Sequence, residues 1–139
     1  MKIIDKLWLL LLLPTLPVQA QINPDNTLPT SSQINPQNNI IYIEQGTVKG
    51  TNLFHSFAQF SVPDGMTAYF NNNSNIQNIF SRVTGGEISQ INGTIQANGN
   101  ANLFLMNPQG IIFGKNASLN IGGSFLATTA NSMKFADNF

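Results

Sequence analysis

One histidine, His55, and five carboxylates, Asp25, Glu44, Asp64, Glu87 and Asp137, are the acid–base groups that follow residue 20. Asp64 and Glu87 stand 23 positions apart. A chain that coils with a period in the low twenties would bring such residues together, and paired carboxylates are the machinery of glycoside hydrolysis. Two features argue against that pair. Val62-Pro63-Asp64-Gly65 has the composition of a turn. The local repeat spacing is nearer 26, which offsets the two residues by about three positions. His55 lies in Leu53–Phe60, a partly alternating stretch, and reads as a strand residue rather than a base or ligand. There is no cysteine and no second histidine, so the sequence offers no thiol nucleophile and no paired-histidine metal site. No glycine-rich loop opens a helix. Arg82, alone in Ser81-Arg82-Val83-Thr84, suits a surface or corner-pairing role. The sequence therefore predicts no catalytic residues, no metal and no cofactor.

The elements around these residues are strands and turns. Residues 1–20 have a basic start at Lys2 and Lys6 and an apolar run from Leu7 to Leu13. The small residues before Ala20 suit cleavage, so the segment reads as a secretory signal too short to span a bilayer. Beyond it the charges are few: five acidic and four basic residues, with no basic patch to attract nucleic acid. Twenty asparagines all follow the signal. Asparagine is poor inside helices and good in turns and left-handed positions. With a good supply of aliphatic and phenylalanine residues, this composition predicts an all-β domain of short strands and tight turns.

The chain also repeats. Asn52-Leu53-Phe54, Asn78-Ile79-Phe80, Asn102-Leu103-Phe104 and Ser124-Phe125-Leu126 follow one another at spacings of 26, 24 and 22. Asn92–Gly99 matches Asn116–Gly123 at a spacing of 24, and Gly46-Thr47-Val48 is a fainter echo. Drifting lengths are what a repeat array shows when insertions fall in its turns. Strand-type units at this period predict a parallel β-helix, a single-stranded solenoid with coils of about 22–26 residues. A leucine-rich repeat and a β-sandwich are the competing architectures. In the solenoid, Asn52, Asn78 and Asn102 would fall on one edge and form an amide ladder.

The stretch NANLFLMNPQGIIFGKNA, Asn100–Ala117, interrupts a hydrophobic run with Asn107-Pro108-Gln109-Gly110. Asn at the first position, Pro at the second and Gly at the fourth is the residue set of a type I turn. Pro108 also pushes Asn107 toward extended backbone. The four residues predict a corner between two faces of a coil.

Taken in order, Asn52–Phe57, Ser81–Gly86, Asn100–Gly114 and Gly122–Thr129 resemble the N-terminal secretion domain of filamentous-haemagglutinin-type exoproteins, the passengers of two-partner secretion. The wording is closest to the cyanobacterial branch, and the resemblance runs from about Ile34 onward. It implies a right-handed parallel β-helix with an N-terminal cap. It implies export through the inner membrane, transit of the periplasm, and recognition there by an outer-membrane β-barrel transporter through its soluble POTRA domains. The passenger then reaches the cell surface or the medium. The family's Asn-Pro-Asn-Gly-Ile motif falls on Asn107, Pro108, Gln109, Gly110 and Ile111, with Gln109 in place of the usual Asn. A second Asn-Pro motif would fall near Phe70–Ile76, where this chain lacks the proline.

The expected organisation is a signal at 1–20, an irregular lead-in at 21–39, and the N-terminal part of a haemagglutinin-type secretion domain at 40–139, truncated at its C-terminal side. The expected function is a secretion-recognition module with no enzymatic activity. A small β-helix polysaccharide lyase or hydrolase is the alternative, and an adhesin or surface piece shares the fold.

Overall fold

The computed structural model describes residues 21–135; the signal-like segment lies outside the described residues. Thirteen strands and no helix occur among them. The repeating units are parallel strands that wind through three faces.

The first face carries β5 (Asn52–Ser61), β7 (Asn78–Val83), β10 (Asn102–Met106) and β13 (Phe125–Thr128), paired in that order and parallel. The second carries β3 (Ile40–Gln45), β6 (Thr67–Phe70), β9 (Thr94–Ala97) and β12 (Ser118–Asn120), also parallel. The third is short: β8 (Ser89–Ile91) pairs with β11 (Ile111–Phe113), and Val62 bridges to Ile91 from the coil before. The register is the one the repeats predict. Leu53, Ile79, Leu103 and Phe125 stack in one column, and Thr94-Ile95 sits over Ser118-Leu119. This is a parallel β-helix, and the competing sandwich is excluded by its parallel ladders.

The core follows from alternation. Inward positions of each strand are aliphatic or aromatic, and Ile79, Ile91, Ile95, Phe57 and Phe70 are wholly enclosed. Column mates trade volume: Ile43, Phe70 and Ala97 occupy one column, so a large ring lies next to a methyl group. Near the cap, Phe57, Phe60 and Phe70 form a cluster with ring centroids 5.2–6.5 Å apart. The inward residues of β11 and β12 are more open, because no described residue stacks on that side of them.

The cap is antiparallel. β1 (Gln21–Pro24) and β4 (Thr47–Lys49) pair with β5, and β2 (Ser32–Gln37) pairs with β3. Two local expectations change here. Residues 21–39, read as irregular, contain β1 and β2. Their prolines misled because Pro24 ends its strand at a register shift and Pro36 lies on an edge strand, places where a missing N–H costs the ladder nothing. The Gly46-Thr47-Val48 echo is not a coil unit either. It folds back on β5 as a hairpin arm, with Gly46 and Gly50 at φ +88° and +61° making the bends.

Candidate functional site

The corner after β10 is built around Asn107. Its side chain is 1% exposed, an unusual burial for an amide. The Asn107 Nδ2 group donates to the Glu87 carbonyl oxygen at 2.8 Å and to Ser89 Oγ at 2.9 Å, both in the preceding coil. Its Oδ1 accepts from the Gln109 N–H at 3.0 Å, closing an Asx turn. Its backbone N–H donates to the Thr128 carbonyl in the following coil, and its carbonyl accepts from the Gly110 N–H at 3.0 Å. One residue thus ties three successive coils and shapes the turn between two faces. The turn expected from the sequence is present, and its asparagine does more than the shape requires.

The other motif residues divide by exposure. Pro108 and Gln109 are exposed, Gly110 is intermediate, and Ile111 is half-buried at the start of β11, in register with Ser89. Gly110 has φ +124° and its carbonyl accepts from the Ser89 N–H, so the chain enters β11 already paired to β8. Gln109 lines an open groove of about 610 Å³ with Glu87, Ile88, Gln90, Asn92 and Gln21. Two exposed apolar residues lie on either side of the turn in sequence, Ile88 at 46% and Ile112 at 54%. The corner therefore presents a rigid backbone, a proline ring, an amide and neighbouring aliphatic surface to solvent.

The amide ladder is also present. Asn78 Nδ2 donates to Asn52 Oδ1, and Asn102 Nδ2 to Asn78 Oδ1, each at 3.0 Å. The Ser124 N–H then donates to Asn102 Oδ1 at 2.8 Å. A second amide clasp was not anticipated. Asn98 donates from its backbone N–H to Asn72 Oδ1 and from Nδ2 to the Asn72 carbonyl, while Asn72 Nδ2 returns a bond to the Asn98 carbonyl. The 26-residue spacing of Asn72 and Asn98 was the available signal. The wealth of asparagines on either side of Asn72 hid it.

The residues weighed for catalysis are dispersed into structural duties. Asp64 accepts from Asn116 Nδ2, and Glu87 accepts from Gln59 Nε2. His55 lies on β5 with its side chain enclosed, 2% exposed, between Phe57 and Phe70. Its Nδ1 is 2.7 Å from Ser32 Oγ, and its Nε2 makes no hydrogen bond. Burial pushes its pKa down to about 4.

Arg82 joins a polar network with Asp25, which the sequence left unremarked. Its Nε donates to Ser56 Oγ and its Nη2 to Thr27 Oγ1. Ser56 and Thr84 hydroxyls both donate to Asp25 Oδ2 at 2.6 Å. Partial burial alone would raise the Asp25 pKa. The hydrogen bonds from Ser56, Thr84 and Thr27 outweigh it and hold the carboxyl down at about 2.

Comparison with known proteins agrees with this architecture. The model of the TPS secretion domain family matches residues 20–139. A heme/hemopexin-binding protein from Haemophilus influenzae strain Rd is 34% identical over 107 residues, 72% of this chain and 10% of that protein. Another heme/hemopexin-binding protein from Haemophilus influenzae is 41% identical over 59 residues, 42% of this chain and 6% of that protein. The chain thus spans a tenth or less of the length of these relatives. Stacked parallel coils under an antiparallel cap, together with a match over nearly the whole sequence, establish that this chain belongs to the TPS secretion domain family, the domain of an exported two-partner secretion passenger.

Proposed function

We propose that the Asn107–Ile111 corner is the surface by which the partner transporter recognises this passenger. The transporter is an outer-membrane β-barrel with periplasmic POTRA domains. Residues 1–20 direct the chain through the inner membrane and are removed after Ala20. The mature domain then meets the transporter in the periplasm and reaches the cell surface or the medium. Residues 40–139 carry the recognition function, and the domain performs no catalysis of its own.

Within the motif the roles separate. Asn107 and Gly110 set the shape. Pro108 and Gln109 supply the exposed contact, and Ile111 anchors the turn to β11. The single observation that supports this division is the contrast in exposure between Asn107, which is enclosed, and Pro108 and Gln109, which face solvent beside the groove. A receptor strand added along β11, on the side where no described strand pairs with it, would use main-chain bonds for affinity and the groove for specificity.

The test is a binding titration between the purified mature chain and the soluble periplasmic domains of its transporter. Pro108→Ala with Gln109→Ala is expected to weaken binding by about tenfold, the loss of roughly 1.4 kcal/mol of contact. The same double variant should keep its β circular-dichroism spectrum. Unchanged affinity in a folded double variant would remove the corner from the recognition surface.

A further inference from the structure

The outer side of the first face carries an aromatic ladder. Phe54 and Phe80 stack at 5.3 Å between centroids, and Phe80 and Phe104 at 4.8 Å. Phe135 comes back over this ladder from beyond β13. Its ring meets Phe80 edge-on at 4.9 Å and Phe54 at 6.3 Å. The segment that carries it, residues 129–135, belongs to no strand. It crosses from the last coil to the first two without joining their ladders.

The opposite end of the described chain reaches the same place. A cavity of about 230 Å³ is lined by Leu28 from the N-terminal segment, by Phe80, Arg82 and Met106 from the coils, and by Met133 and Phe135. Arg82 is two residues from Phe80 on β7. It donates to Ser56 on β5 and to Thr27, the residue before Leu28. Asp25 completes the attachment through Ser56, Thr84 and its own N–H, which donates to the Ser56 carbonyl at 3.2 Å. Polar bonds and an apolar cluster therefore adjoin on one patch, and each contains a piece of residues 25–28.

We infer that residues 131–135 are a clasp: seating Phe135 on Phe54 and Phe80 locks the N-terminal segment, through Leu28 and the Arg82–Asp25 network, onto the coil stack. Until Phe135 arrives, the ladder is open on its outer side and Leu28 lacks one wall of its pocket. The cap and coils then become one cooperative unit only after the chain has been made, or delivered, as far as residue 135. This inference concerns folding within the chain and stands independently of which partner reads the Asn107 corner.

Hydrogen exchange on the purified mature chain tests it. The reporters are the Asp25 amide, bonded to Ser56 O, and the Thr84 amide, bonded to Phe57 O at 2.8 Å. Phe135→Ala removes two ring contacts, with Phe80 and Phe54, and should speed both amides by about tenfold. Phe80→Ala should do the same, and the double variant should add little to either. Lys134→Ala, at an exposed position of the same segment, should leave both amides unchanged. If Phe135→Ala unfolds the chain outright, Phe135→Leu, which keeps apolar bulk, gives the same readout at smaller amplitude. Faster exchange confined to residues 131–135, with Asp25 and Thr84 unmoved in the folded variant, would overturn the clasp.

Discussion

Asn107 and His55 are both polar, both enclosed, and both carried on strands or corners of the first face, yet they are treated in opposite ways. Asn107 uses both donor bonds on groups of the preceding coil, fixed by the coil register, and its acceptor on the Gln109 N–H of its own turn. His55 uses one ring nitrogen on Ser32 and leaves the other without a bond, next to aromatic rings. Its column mate Ser81 likewise has a buried Oγ with no hydrogen bond. A buried polar group that is fully satisfied stabilises one geometry, whereas one that is half satisfied holds a liability. In this solenoid the satisfied group sits at a corner, where carbonyls turn inward and are available. The unsatisfied one sits mid-strand, where neighbouring backbone groups are already committed to ladders.

That contrast predicts the largest effect at the corner. Asn107→Ala strands the Glu87 carbonyl, the Ser89 hydroxyl and the Gln109 N–H away from their partner. At about 1–3 kcal/mol for each buried group left unpaired, partly relieved by solvent at the turn, the loss should be about 3–5 kcal/mol. Urea denaturation should show a lower midpoint with an unchanged slope. A loss below about 1 kcal/mol would mean that the turn is held by Pro108 and Gly110 alone.

His55 should give the next largest effect, and it should depend on pH. Its folded pKa is about 4 against an ordinary value of 6.5, so between those values the unfolded chain binds a proton that the folded chain does not. Stability from this group is complete above pH 6.5 and declines as pH falls toward 4. It changes no further below that, for a total of about 3 kcal/mol. His55→Phe keeps the ring contacts with Phe57 and Phe70 and removes the titration. Its stability profile between pH 6.5 and 4 should be flatter than that of the parent. Parallel profiles would place the acid sensitivity elsewhere.

The amide ladder occupies the middle ground, because it is bonded like Asn107 but only part-buried. Asn78→Ala breaks two side-chain bonds, one to each neighbouring coil. With solvent able to replace part of them, thermal unfolding should register a loss of about 1–2 kcal/mol. An effect as large as that of Asn107→Ala would show that repetition along the axis, rather than burial, decides what an asparagine contributes.

Much of this was legible in the sequence, and the reason is register. Parallel stacking places residue i over its copy one coil later, so the spacings 26, 24 and 22 of the Asn-Leu-Phe segments became the pairings Asn52–Asn78, Asn78–Asn102 and Leu103–Phe125. The corner was legible because Asn-Pro-x-Gly specifies a turn by local sterics alone. An N-terminal cap was implied by the resemblance alone; its strands were not legible in the residues, because antiparallel strands β1, β2 and β4 obey no period, and their partners lie at separations set by the hairpins. The Arg82–Asp25 network was hidden for the same reason: residues 25 and 84 are bonded across 59 positions that no repeat relates. Nor does residue type alone say that the amide of Asn107 turns inward, while Gln109, also an amide, faces solvent. That follows from which carbonyls the preceding coil leaves free, here that of Glu87.

The finest distinction lies within the motif itself, at the position where the family's second Asn is Gln109. Only the backbone N–H of Gln109 is used by the turn, through Asn107 Oδ1, and its side chain is exposed along the groove. Gln109→Asn shortens an exposed side chain by one methylene and leaves that N–H in place. Stability should therefore move by less than about 0.5 kcal/mol in either direction. If the corner is a contact surface, transporter affinity should respond more than stability does, because one methylene of reach decides whether the amide meets a partner group across the groove. A calorimetric titration paired with a thermal melt separates the two. A shift in the melt without a shift in affinity would assign position 109 to the fold and leave Pro108 as the exposed contact of the motif.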